Sequence, residues 1–170
     1  MTAHVREAAI GDAAGIARVR VETWRAAYAG LVPQAMLDRM DIQREAERRA
    51  ELWEEHHDHP HKHELVAVAD GEVVGWAAFG PAREEIPGVP AELYAIYALS
   101  ERWSRGVGHA LLMESERRLV ADGHSAAYLW RLEGNDRAAR FYETHGWAHD
   151  GGRKVDGDLC ELRHLRRFDA

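Results

Sequence analysis

Trp103-Ser104-Arg105-Gly106-Val107-Gly108-His109 runs directly into the apolar helical pattern of Ala110, Leu111 and Leu112. Gly106 and Gly108 can take backbone angles that other residues resist, so successive N–H groups can converge on one point. A helix starting there adds its unpaired first-turn N–H groups and the positive end of its dipole. Arg105 brings a full positive charge to the turn. This is the chemistry of a phosphate or pyrophosphate cradle, although the same G-x-G spacing also serves as a plain structural turn. A second group, Asn135, Ala138, Phe141, Tyr142, Gly146 and Trp147, places an amide and a phenol on a short helix closed by His145-Gly146.

Composition bounds the protein that carries these residues. The chain of 170 residues and 19.2 kDa fits one domain, 1–170, with a substantial core. It is 46% hydrophobic and 30% charged, with no apolar run long enough to span a membrane. Its N-terminus lacks a signal-peptide pattern, so a cytoplasmic location is expected. A net charge of −7 opposes general nucleic-acid binding and leaves room only for local basic pockets. The single cysteine, Cys160, has no disulfide partner and reads as a core residue on a strand.

The elements that must position the two groups follow from local pattern. Val5 to Ala9 reads as a strand. Asp12 stands at an N-cap before Ile16, Val19 and Thr23, and that helix ends near Tyr28 with Gly30 beyond. Trp24 and Tyr28, four apart, share a face and serve either as pocket walls or as core aromatics. Pro33 opens a further helical region, and Gln43 to Glu55 reads as a solvated helix with Leu52 and Trp53 as its apolar contacts. Five histidines between His56 and His63 can chelate a metal, but Pro60 and the polar surroundings predict an exposed loop with no metal. Asp70-Gly71 predicts a hairpin joining Leu65–Ala69 to Val73–Phe79. A loop through Pro81, Pro87, Gly88 and Pro90 then leads to a central strand over Ala91–Leu99. Strand, glycine turn and helix are therefore contiguous, with Leu111, Leu112, Ser115 and Leu119 on one helical face. A strand over Ser125–Leu132, the short helix, and two strands around Asp156-Gly157-Asp158 complete the chain.

The two groups, in this order, resemble the GNAT superfamily of acetyl-coenzyme A-dependent N-acetyltransferases. That family's loop reads Q/R-x-x-G-x-G/A, and Trp103-Ser104-Arg105-Gly106-Val107-Gly108 fits it except that Trp103 replaces Gln or Arg. Its second motif, N-x-x-A-x-x-F/L-Y-x-x-x-G-F/W, is met from Asn135 to Trp147. The resemblance implies a single α/β (α+β) domain with a mixed, mostly antiparallel sheet of about seven strands. Helices flank both faces, and a splayed central strand pair forms the cofactor site. It implies acetyl-CoA as co-substrate, held by Ser104, Arg105, Gly106, Val107, Gly108, His109 and Asn135, with Arg137 or Arg140 meeting a phosphate or remaining a solvated charge. The backbones of Ile96 and Ala98, with Tyr97 between them, would pair with the pantetheine arm. The acceptor is a small-molecule or peptide amine, and a homodimer is compatible with the resemblance.

Acetyl transfer needs a neutral amine, whereas a free alkylamine with a pKa of roughly 10 is protonated at neutral pH. The resemblance offers Glu92 as general base; it is otherwise a strand-end carboxylate. Tyr142 matches the tyrosine that protonates the departing sulfur. Trp24, Tyr28 and Tyr94 are candidate acceptor contacts, where cation–π attraction suits an ammonium group. A GNAT-fold module that binds acyl-CoA as a sensor or scaffold, without turnover, is the alternative.

Overall fold

Asp70 and Gly71 both adopt positive φ, 54° and 79°, the combination a tight two-residue hairpin demands. They join β2 (His63–Ala69) to β3 (Glu72–Ile86) in a computed structural model that describes residues 2–169. The other strands are β1 (His4–Glu7), β4 (Val89–Ala98), β5 (Ala126–Leu132), β6 (Ala148–Asp156) and β7 (Leu159–Arg167). All seven form one sheet in the order β1-β2-β3-β4-β5-β7-β6. Every neighbouring pair is antiparallel except β4 and β5.

That parallel pair is in register only at Ala91–Ala127 and Glu92–Tyr128. Just beyond it, β4 carries an extra residue against β3: Ala78 opposes Ala95 and Phe79 opposes Leu93, so Tyr94 is left over. A bulge bends its strand and ends regular pairing. Here it falls where β4 parts from β5, and the sheet opens along Leu93–Ala98.

Helices α1 (Ala13–Ala27), α2 (Gln34–Asp38), α3 (Ile42–Glu51), α4 (Trp53–His56), α5 (Val107–Ala121) and α6 (Asp136–Thr144) pack around this sheet. A side chain at Gly15 of α1 would meet Val73, whereas one at Gly75 would meet Val107 and Leu111 of α5. Val74, unpaired between Val73 and Gly75, reverses the alternation and turns these two contacts to opposite faces. Leu111, Leu112, Ser115 and Leu119 are all buried, as the helical spacing predicts. Trp147, Phe79, Leu65 and Ile16 are also fully buried in the same core.

Four expectations are corrected. Residues 80–90 are not a loop: β3 continues through Pro81 to Ile86, and only Pro87-Gly88 turns the chain into β4. Asp12 holds the N-cap position of α1, but its side chain makes no capping hydrogen bond to that helix. Its carboxylate turns back to accept the Ala9 N–H and a bidentate Arg6, closing a short 3₁₀ turn that precedes the helix. The helix predicted over 43–55 breaks at Leu52 into α3 and α4. The histidine tract is the expected loop over 57–62, bounded by His56 at the end of α4 and His63 at the start of β2, with His57 stacked on Trp53. Cys160 lies partly exposed beside the β6–β7 turn, not in the core.

Candidate active site

The opening between β4 and β5 is a cavity of about 560 Å³ floored by Leu93–Ala98 and bounded by the start of α5 and by α6. Gly106 stands at the N-cap of α5 with φ +85°, a left-handed angle that any side chain would strain. No side chain caps this helix, and its first internal bond runs from Ala110 N–H to the Gly106 carbonyl. The N–H groups of Val107, Gly108 and His109 are therefore left for a ligand, at the positive end of the helix. Gly108 matters differently, because a Cβ there would press against the Phe141 ring at 3.3 Å.

Side chains of the turn divide into wall and support. Ser104, Gly106, Gly108, His109, Asn135, Arg137 and Tyr142 line the cavity, as do Ile96, Tyr97 and Ala98. Arg105 is exposed and outside the wall, and the Val107 side chain is buried in the core, so Val107 offers only its backbone. Trp103, the position that departs from the family pattern, donates its indole N–H to the Ala98 carbonyl at 2.9 Å. Arg137 lies over the Trp103 ring at 4.5 Å and donates to Ser104 Oγ. Thr23 Oγ1 also donates to the Ala98 carbonyl. That oxygen is already satisfied, which leaves main-chain pairing with a ligand to residues earlier in β4, Ile96 among them. Asn135 Oδ1 accepts the Ala138 N–H as the N-cap of α6, so its amide NH₂ is the part free to face the cavity. His145 Nδ1 meets the Phe141 carbonyl and its Nε2 meets His109 Nδ1 at 2.8 Å. A neutral His145 must carry its proton on Nδ1, so His109 donates to it and turns its own Nε2 outward.

A second cavity of about 260 Å³ shares Tyr28, Tyr94, Tyr97, Trp130 and Leu132 with the first. Its charged walls are Arg83, Glu92, Lys154 and Glu161. Glu92 is 1% exposed. One of its oxygens accepts the Tyr128 hydroxyl and the Arg83 N–H and Nε, and the other accepts Arg83 Nη2 at 2.7 Å. The bidentate pair with Arg83 holds Glu92 in its charged form and opposes its taking a proton. Glu161 is half-buried on β7, and burial raises its carboxyl above the ordinary range, with Lys154 and Arg83 pulling the other way. Neither Arg83 nor Glu161 carries a motif in the sequence; both reach the site through hairpins, β3–β4 and β6–β7, whose pairing no local pattern specifies.

The aromatic residues expected to receive an ammonium are partly engaged. Trp24 meets Tyr28 edge-on at 4.7 Å and donates to the Tyr97 hydroxyl, while Arg20 lies over its ring. Arg83 covers Tyr94, whose hydroxyl donates to the Pro81 carbonyl. Burial, with Glu92 nearby, pushes the Tyr94 phenol up to about 12. Tyr28 and Tyr97 remain at the junction of the two cavities. Tyr142 is buried in the wall of the larger cavity, and desolvation raises its phenol well above the ordinary value, with Arg131 acting in the opposite direction.

A parallel strand pair that opens over a glycine turn and a helix N-terminus is the architecture of an acyl-group transferase. Residues 19–147 match the acetyltransferase (GNAT) family, and the chain belongs to that family. It is 35% identical over 142 residues to the uncharacterised N-acetyltransferase YuaI of Bacillus subtilis strain 168, covering 83% of this chain and 78% of the relative. Its fold is that of the PaiA N-acetyltransferase from Thermoplasma acidophilum in complex with coenzyme A. The TM-score is 0.79 at 22% identity over 99% of this chain and 100% of the other. YncA of Salmonella typhimurium, a putative acetyltransferase solved with acetyl-CoA, aligns with a TM-score of 0.75 at 18% identity, over 100% and 96%.

Proposed function

We propose that this acyltransferase moves the acetyl group of acetyl-CoA to a primary amine by direct attack, with acetyl-CoA in the larger cavity and the amine in the smaller. The carrying observation is that the two cavities meet at Tyr28, Tyr94 and Tyr97, where β4 leaves β5. The residues fit the co-substrate: free N–H groups of Val107, Gly108 and His109 for pyrophosphate, Arg137 beside them, and an open β4 for an extended arm.

The ammonium of the acceptor must lose a proton before attack. Glu161 is the carboxylate placed for this, since it is raised toward neutrality and free of the ion pair that holds Glu92. Glu92 then acts as a positioning residue that fixes Arg83 and Tyr128. Glu161 releases that first proton to solvent, and as the carbon–nitrogen bond forms and the carbon–sulfur bond breaks, the second nitrogen proton goes to its carboxylate while negative charge gathers on sulfur. A thiol of pKa about 8.5 leaves as a weaker base than a tyrosinate of pKa about 10 or more. Complete proton transfer from Tyr142 to sulfur is therefore uphill, and its hydroxyl serves as a hydrogen-bond donor to the developing thiolate. No metal enters this chemistry.

Incubation with acetyl-CoA and a panel of small-molecule and peptide amines, read by free-thiol release, tests the reading. Amine-dependent release supports it. Tight acetyl-CoA binding by calorimetry with no release from any amine overturns it in favour of a sensor.

A further inference from the structure

At the far end of α5, about 22 Å along a 15-residue helix from the glycine turn, three side chains from two distant stretches of the chain converge. Asp122, the C-cap of α5, presents one oxygen to His63 Nε2 at 2.7 Å and the other to His61 Nδ1 at 3.0 Å. All three donor atoms lie within 4.8 Å of one another. His61 Nδ1 is buried and makes no hydrogen bond of adequate geometry, and Nε2 of neighbouring His124 is likewise buried without a partner. The His124 ring packs edge-on against His61.

We propose that His61, His63 and Asp122 form a binding site for a zinc-class divalent transition metal, separate from the acetyl-transfer site. Two imidazoles and a carboxylate are the donor set that borderline divalent ions prefer, and a three-ligand set leaves a fourth tetrahedral position for water. Bonds of about 2.0–2.2 Å place tetrahedral donors roughly 3.3 Å apart, so the present spacing closes with side-chain shifts of about an ångström. Charge favours the ion: the carboxylate lies at the negative end of α5. The supports are firm, since His63 is paired with Phe79 in the sheet and its ring stacks on Phe79. A bound ion would tie the turn before β2 to the end of α5.

The test is zinc titration of chelator-treated full-length protein, followed by calorimetry and thermal unfolding, with cobalt absorption as a second probe. Expected results are one zinc per chain, a melting temperature raised by about 5 °C or more at a hundredfold excess over Kd, and the visible bands of tetrahedral cobalt. The double variant His61→Ala/His63→Ala and the near-isosteric Asp122→Asn should each lose the shift by at least tenfold in affinity. His56→Ala/His59→Ala, which alters only exposed histidines of the same tract, should keep it. Absence of stoichiometric binding overturns the proposal. So does binding that survives in the first two variants and disappears in the last, which would mark simple chelation by the tract.

Discussion

Trp103 and Ala98 are joined by an indole-to-carbonyl hydrogen bond of 2.9 Å that ties the glycine turn to the end of the splayed strand. Gln or Arg at this position in the family pattern would have to reach the same region with a flexible chain; the indole does so rigidly and offers its face to Arg137. Each interaction contributes on the order of 1 kcal/mol. Trp103→Ala is therefore expected to weaken acetyl-CoA binding about tenfold, and Trp103→Phe, which keeps the stacking face, by less. Calorimetry with acetyl-CoA checks this; unchanged affinity in both variants would remove Trp103 from the site.

The two glycines of the cradle separate by mechanism. Gly106→Ala places a Cβ in open space at φ +85° and costs about 1–2 kcal/mol of backbone strain. Gly108→Val instead drives side-chain atoms into Phe141 across the α5–α6 contact. Both variants should bind acetyl-CoA more weakly, and Gly108→Val should in addition lose several degrees of melting temperature. Relief of the Gly108→Val loss by a second substitution, Phe141→Leu, would confirm the steric origin.

What was legible in the sequence follows the range of the interactions. The cradle and the Asn135–Trp147 motif are local patterns that the sequence displays, and Tyr142, Asn135 and the α5 N-terminus line one cavity. The splay of β4 from β5 was expected only through the family resemblance; its physical cause, the extra residue at Tyr94, is a matter of register between strands. Glu161 and Arg83 carry no pattern of their own, and His61 and Asp122 lie far apart in the chain until β2 packs beside α5. Pro81 misled in the other direction. Its missing N–H suggests a loop, yet it sits opposite Ala91 within the β3–β4 ladder, where β3 can spare one donor.

Glu161 and Glu92 should respond oppositely to amidation. A carboxyl raised in the fold favours stability below its unfolded pKa of about 4.3, and that contribution is lost as pH rises through the higher folded value. Glu161→Gln removes the penalty, so at pH 7 it is expected to melt no lower than the wild type while kcat falls about a hundredfold or more. The acid limb of the pH–kcat profile should disappear with it. Glu92→Gln breaks the bidentate pair with Arg83 and is expected to cost about 1–3 kcal/mol of stability, with a smaller loss of kcat. A larger kcat loss in Glu92→Gln, with a normal melting temperature, would return the base to Glu92.

Arg131 is buried behind Tyr142, and no carboxylate lies within ion-pair distance among the described residues; its Nε instead donates to His164 Nε2 at 3.0 Å. That bond requires a lone pair on His164 Nε2, so the ring proton sits on Nδ1 and is donated to the Trp147 carbonyl. Burial, reinforced by the Arg131 charge, holds His164 below its ordinary pKa. A histidine depressed in the fold contributes stability that is present above its unfolded pKa of about 6.5 and is lost as pH falls through the folded value. The melting temperature should therefore drop on acidification below about pH 6.5. His164→Gln, which can still accept from Arg131 and donate to Trp147, should flatten that drop. Protonation of His164 also sets a second positive charge against Arg131 beside the Tyr142 ring, 5.8 Å from that of His164. If Arg131 helps Tyr142 support the departing thiolate, Arg131→Gln should lower kcat by roughly tenfold with little change in acetyl-CoA affinity. An equal loss in binding and turnover would assign Arg131 to packing alone.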